Sequence, residues 1–419
     1  MKQKILRILA NLRFAIFLLL LIAFISIIGT IIEQDESIEV YKLNYPLSNQ
    51  LFGFLSWNII LKFGLDHLYK TWWFLSIIIT FGISLCTCTV LQQLPAFKIA
   101  RRCQFFRKVL QFRQVPISKV LNQLQISKLL FNLKKKNYLI FQQKNIIYCY
   151  QGLIGRVGPI VVHLSMILIL VGTIITSIVG FNGQEIVPKT ETFHIQNIFS
   201  SGKLTKFPQL ATRVNDFWIL YKNKTIINQF YSNISILDAH GEEINSKTVF
   251  VNSPIKYNGI DFYQTNWSLI GLRFQLTRNL FIQYPLIKLN DKVNQIWLTW
   301  IPNLDTFNSG LTILIDNLQG YCSLYNKTGE FLGNIELNES LILPYTFIDI
   351  LNSDGLQIKT DPGIPIIYLG FFFLMVTTLI SYKTYSQVWV LKNNSKTFIG
   401  GNTNRAIFEF EFEFFKFIK

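Results

Sequence analysis

The sequence predicts an integral membrane α-helical protein with four spans and a mainly β extramembrane domain. Three observations carry that prediction. Half of the residues are hydrophobic and 15% are charged, with a mean hydropathy of +0.32; a soluble globular domain carries about 25% charged residues. Four apolar runs, residues 14–32, 71–91, 158–181 and 364–382, hold no Asp, Glu, Lys or Arg. Each is close to the ~20 residues that cross a ~30 Å hydrocarbon core. Residues 182–363 contain no such run and read instead as short alternating strands between turn residues.

The first run follows Lys2, Lys4, Arg7 and Arg13. It is too long for the core of a signal peptide, and Gly29-Thr30-Ile31-Ile32-Glu33 supplies no small-x-small cleavage site, so it reads as a retained anchor. Charge then sets the orientation. Residues 92–157 hold thirteen Lys or Arg and no acid, residues 33–70 three bases and five acids, and residues 182–363 fourteen bases and sixteen acids. Basic loops stay on the side of synthesis. The expected order is an inner N-terminus (1–13), a span (14–32), an outer loop (33–70), a span (71–91), a basic inner loop (92–157), a span (158–181), an outer domain (182–363), a span (364–382) and an inner tail (383–419). The net charge of +16 resides mostly in 92–157. Beside two spans it reads as an orientation signal and a contact for anionic lipid headgroups rather than a nucleic-acid site.

In the outer domain, strands are expected near 216–221, 229–237, 248–251, 260–264, 272–276, 295–299, 311–315 and 345–350, folded as a sandwich or barrel. Its one cysteine, Cys322, cannot close an internal disulfide, which weighs against thiol-oxidoreductase chemistry. No HExxH, P-loop, GxGxxG or GxSxG motif occurs, so hydrolase, ATPase and dinucleotide readings lack their machinery. Cys86-Thr87-Cys88 is a CxC pair that could bind metal or exchange disulfides; without further clustered ligands it reads rather as small apolar packing.

His163 stands apart. It falls within the third run, and an ionisable residue there is by default a functional hypothesis. Pro159 suits the first helical position, which would put His163 nearer the inner face. The alternative for His163 is a hydrogen bond to a Ser or Thr of another span. His67, beside Asp66 and above Trp72-Trp73, His194 and His240 are expected on the outer side.

Several segments together resemble the ResB/CcsB proteins of System II cytochrome c biogenesis, in their plastid and cyanobacterial form. They are Leu12-Arg13-Phe14-Ala15-Ile16, Ser26 to Gln34, Tyr45-Pro46, Cys88-Thr89, Gln93-Leu94-Pro95, Tyr231-Ser232, Val251-Asn252-Ser253-Pro254, Phe262-Tyr263-Gln264-Thr265-Asn266-Trp267, Asp361-Pro362-Gly363-Ile364-Pro365 and Gln387-Val388-Trp389. Their order along nearly the whole chain is what makes the resemblance specific. It implies a non-autonomous subunit of a haem-attachment complex. That subunit works with a CcsA-type membrane protein to bring haem b across the membrane and join it to CxxCH apocytochromes c such as cytochrome f. The resemblance makes His163 a haem axial ligand and implies no catalytic residue and no other metal. The alternative is a structural chaperone that holds apocytochrome without touching haem. Tyr263, Gln264 and Trp267 are expected to form a surface for the partner or apocytochrome, with Tyr263 and Trp267 as core aromatics being the alternative. A start almost directly in a span, and a composition rich in Ile, Asn, Lys and Phe, point to a plastid-encoded thylakoid protein, with a bacterial membrane second. The resemblance assigns no motif to 92–157, and the tail 408–415 reads as a variable extension.

Overall fold

The computed structural model describes residues 2–48, 50, 55–122, 125–207, 209–222, 226–277, 280–289, 296–302, 310–340, 345–393 and 396–418. Residue 295, the start of one expected strand, lies outside them. The chain divides into two compact units, 1–175 with 363–419, and 176–362.

Among the described residues four helices are long and apolar enough to cross a membrane: Leu12–Ile31, Trp72–Arg101, Ile154–Val179 and Ile364–Ser381. Asn11 starts the first, its side chain accepting from the Arg13 amide at 2.9 Å. The second is α-helical over Trp72–Cys88 and passes through one π turn, Thr89–Gln93, into Leu94–Arg101. Pro95 has no N–H to return to the Leu91 carbonyl, and the Leu94 amide reaches back five residues to the Thr89 carbonyl. The third helix starts at Ile154, so Pro159 lies inside it rather than at its first position. Gly155, four residues before Pro159, has no side chain, and any Cβ there would strike the Lys383 carbonyl. Phe181, expected at the end of the third span, opens a strand instead.

The spans pack through small residues. Ala15 and Leu18 of the first meet Phe81 and Leu85 of the second, with Met166, Ile167 and Leu170 of the third against them. A Cβ on Gly172 would come within 2.6 Å of Ile367, and one on Gly370 within 2.7 Å of Ile169. Close backbone approach of this kind supplies the van der Waals contact that holds helices together where water provides no drive.

Residues 92–157 and 383–419 are not a loop and a tail but one folded body. Its antiparallel sheet has the order Ile117–Leu121, Lys396–Thr403, Ser386–Asn393, Ile146–Gln151, Leu139–Gln143. The helices Ile126–Lys135 and Ile407–Ile418 contribute Leu129, Leu133, Phe410, Phe414 and Phe417 to a core with Cys149, Val388 and Val390. A second cluster, separate from it, joins Tyr148, Tyr150, Trp389 and Leu391 to Ala100 and Phe112. Both sets alternate along Ser386–Asn393, as expected of a strand covered on its two faces.

Among the described residues, the second unit is antiparallel β in three sheets. A six-stranded sheet carries two long strands, Ile260–Thr277 and Thr346–Thr360, flanked by Ile255–Tyr257, Leu280–Pro285, Phe181–Pro188 and Ile198–Ser201. One end of these long strands packs Phe262, Leu356 and Ile358 against Val214, Ile234 and Ile236 of a four-stranded sheet, which is formed by Thr192–His194, Ala211–Lys222, Ile226–Leu237 and Glu243–Phe250. The other end packs Leu272, Phe274, Phe347 and Ile350 against Trp297, Ile301 and Ile313 of a five-stranded sheet. The architecture is two sandwich layers sharing a sheet.

Candidate functional site

His163 lies nine residues after Ile154, the start of the third helix, which is roughly 14 Å of rise. Its ring is half-buried, and Nδ1 lies 2.9 Å from Oγ1 of Thr89, on the π turn that ends the second span. Thr89 Oγ1 also lies 2.8 Å from the Leu85 carbonyl oxygen. The interhelical hydrogen bond to a threonine is thus present, and it occupies one ring nitrogen only. An imidazole held through Nδ1 still has Nε2 for a metal, which is how protein ligands to haem and zinc are usually oriented. The donor set fits one axial position of a haem iron. Among the described residues no group of three His, Cys, Asp or Glu is placed to hold another metal.

The other histidine of the first unit does not join it. His67 pairs through Nδ1 with Asp66 Oδ2 at 2.9 Å, just before Trp72. Thr89 follows Cys88 at the opposite end of the same helix, so the seventeen-residue helix Trp72–Cys88, about 25 Å long, lies between His67 and the His163 contact. His194 is exposed, with Nδ1 3.2 Å from the Leu210 carbonyl, and His240 is exposed in a turn. Cys86 is exposed and Cys88 buried, and every cysteine is free. Burial pushes the Cys322 thiol up to about 12, far from the thiolate that redox exchange requires.

In the β unit the three surface candidates part company. Tyr263 is half-exposed, its hydroxyl donating to Asp261 Oδ2 at 3.3 Å with the Lys359 ammonium 5.3 Å from its ring centre. Gln264 is 6% exposed and offers no surface; its amide donates to the Asn266 carbonyl at 3.1 Å. Trp267 is partly buried, with ring centres at 5.3 Å from Trp297, 6.3 Å from Phe230 and 6.4 Å from Phe217. The cause is a bulge between Gln264 and Asn266. Strand residues alternate faces, and one extra residue reverses the alternation. Phe262 and Gln264 therefore point inward before the bulge, and Trp267 and Leu269 point inward after it.

That bulge borders a polar seam not evident in the sequence. Asp354, the register partner of Trp267, is fully buried, with Thr212, Ser232, Gln264, Asn352 and Ser353 also buried. Burial pushes the Asp354 carboxyl up to about 7; Ser232 and Gln264 approach it and oppose the shift weakly, without hydrogen bonds of ordinary geometry. Thr89 was likewise missed as a site residue, although Pro95 six positions later is a signal that the helix there is irregular.

Four apolar spans, one intramembrane imidazole and a large β unit between the third and fourth spans define a multi-pass membrane protein with a metal-ligating candidate inside the membrane. The chain belongs to the ResB-like family, whose model matches residues 12–317 and 325–415. It is 64% identical to the cytochrome c biogenesis protein Ccs1 of Thalassiosira pseudonana over 100% of both chains. It is 42% identical to the cytochrome c biogenesis protein CcsB of Trichormus variabilis, over 99% of this chain and 91% of that one. A solved structure, the cytochrome c haem lyase CcmF, aligns over 77% of this chain and 42% of its own, with 9% identity and a TM-score of 0.26, too loose to carry an argument.

Proposed function

We propose that this chain is a haem-handling subunit of System II cytochrome c assembly. It acts in the plastid thylakoid membrane with the 182–363 domain in the lumen and the basic segment on the side of synthesis. A CcsA-type protein is its partner, and CxxCH apocytochromes c are the proteins served. The relatives' names and the family membership support the process. The observation that carries the haem role is His163: it is the one histidine in the four long helices, and a hydroxyl of a neighbouring span holds its Nδ1.

Bound haem would supply the iron and the vinyl groups that apocytochrome cysteines attack. The part played by this chain is to offer one imidazole nitrogen at a fixed depth in the membrane. With the helix Trp72–Cys88, about 25 Å long, between His67 and the His163 contact, no second histidine of the first unit shares an iron with His163. The other axial ligand then comes from the partner.

The test is optical. Membranes holding this chain and a CcsA-type partner should show a b-type Soret band that falls in His163→Ala, and His163→Gly should regain haem in part when imidazole is added. The isolated chain should bind haem weakly, and the pair should give a low-spin bis-histidine spectrum. Unchanged haem in His163→Ala would favour the chaperone reading, and a stoichiometric low-spin haem on the isolated chain would sink the two-chain model.

A further inference from the structure

We propose that Thr89 is a positioning residue that presents His163 as a single tautomer, with the proton on Nδ1 and the lone pair on Nε2. The inference rests on the reading of His163 as a haem ligand. A threonine hydroxyl has one proton to donate and two lone pairs to accept with. The Thr89 hydroxyl donates to the Leu85 carbonyl oxygen at 2.8 Å, an atom that can only accept. Towards His163 Nδ1, 2.9 Å away, it has lone pairs alone. That contact is a hydrogen bond only when Nδ1 carries the proton. A neutral imidazole has a single N–H, so Nε2 is then the bare nitrogen.

The arrangement turns an ordinary helix habit to a specific end. Threonine in a helix commonly donates to the carbonyl four residues back, and four other hydroxyls of the second span and its flanks do so or nearly so: Thr71, Ser76, Thr80 and Thr87. Thr89 differs in that its remaining lone pairs face an imidazole of another span. Its position at the opening of the π turn puts it where the helix departs from regular geometry, a place often used for function. A histidine that must receive iron gains from this, because the wrong tautomer has its Nε2 blocked by a proton.

The experiment uses the full-length protein, purified without haem and labelled with nitrogen-15 histidine. The chain has four histidines, and the His163 ring signals are assigned by their loss in His163→Gln. The expected result is a protonated Nδ1 and an unprotonated Nε2 in the wild type. Thr89→Val, which keeps the shape and removes the hydroxyl, should give a mixture of tautomers, and Thr89→Ser should restore the single one. In a separate haem titration Thr89→Val should bind on the order of 10- to 100-fold more weakly, as for other lost partners of metal-bound histidines, and Thr89→Ser should match the wild type. A wild-type His163 protonated on Nε2, or an unchanged tautomer in Thr89→Val, overturns the assignment of Thr89 even if haem still binds. Haem binding that survives in His163→Ala overturns the ligand reading while leaving the measured tautomer as it stands.

Discussion

At the scale of single residues, Asp354 is the group whose chemistry is least expected from its neighbours in sequence. Its carboxyl is raised from 3.8 to about 7 by burial in the seam between sheets. The folded state therefore holds a proton that the unfolded chain gives up at much lower pH. Stability from this group is fully present below about pH 4 and is lost as pH rises through about 7. A carboxyl raised from 3.8 to about 7 corresponds to roughly 4 kcal/mol, an upper figure for so buried a group. Asp354→Asn should remove the decline between pH 4 and 7 and slow hydrogen exchange in the strand Thr346–Thr360 at pH 8. Equal pH profiles for variant and wild type would refute the assignment. In a compartment that acidifies, such as the lumen proposed above, this carboxyl makes the β unit firmer as protons accumulate.

At the scale of elements, the apolar spans were legible because uncharged runs of about 20 residues have few other uses. The strands of 182–363 were legible from alternation and turns. What alternation concealed is instructive. Phe408 to Glu413 alternates Phe and Glu as a strand would, yet Ile407–Ile418 is a helix, because Phe410, Phe414 and Phe417 recur at helical spacing and meet a waiting sheet. Phe414 is 1% exposed. Phe414→Ala should therefore cost about 3–5 kcal/mol, read as faster proteolysis of the basic unit, whereas Phe412→Ala, at an exposed position, should leave it unchanged. The bulge after Gln264 was equally hidden: nothing in Gln264-Thr265-Asn266 announces an extra residue, so the inward face of Trp267 could be found only in three dimensions. The same holds for Thr89, whose partner is 74 positions away.

At the scale of the whole molecule, the third and fourth spans depend on the absence of side chains. The site for a Cβ on Gly370 lies 2.7 Å from Ile169 Cγ1 and 3.1 Å from the Ser165 carbonyl oxygen. Gly370→Leu should part the two helices and lower the amount of protein in the membrane, with Gly370→Ala falling between, as quantitative immunoblotting of membranes would show. Normal accumulation of Gly370→Leu would mean that the helices are held elsewhere.

The basic unit has a further consequence, one of timing. Its central strand, Ser386–Asn393, pairs with Ile146–Gln151, and register partners such as Gln151 and Ser386 are 235 positions apart. At about 5–20 residues per second of synthesis, the first half of that sheet waits roughly 10 to 50 seconds for the second. During the wait Tyr148, Tyr150 and Ile147 have Leu139–Gln143 on one side and no strand on the other, while the chain up to Ser386 is still being made. The nascent chain thus keeps one edge of that hairpin unpaired until Ser386–Asn393 emerges. A chain ended just short of Ser386 holds all four histidines and all four long helices, yet leaves that strand edge unpaired. Only a chain read through the strand Ser386–Asn393 can close that edge.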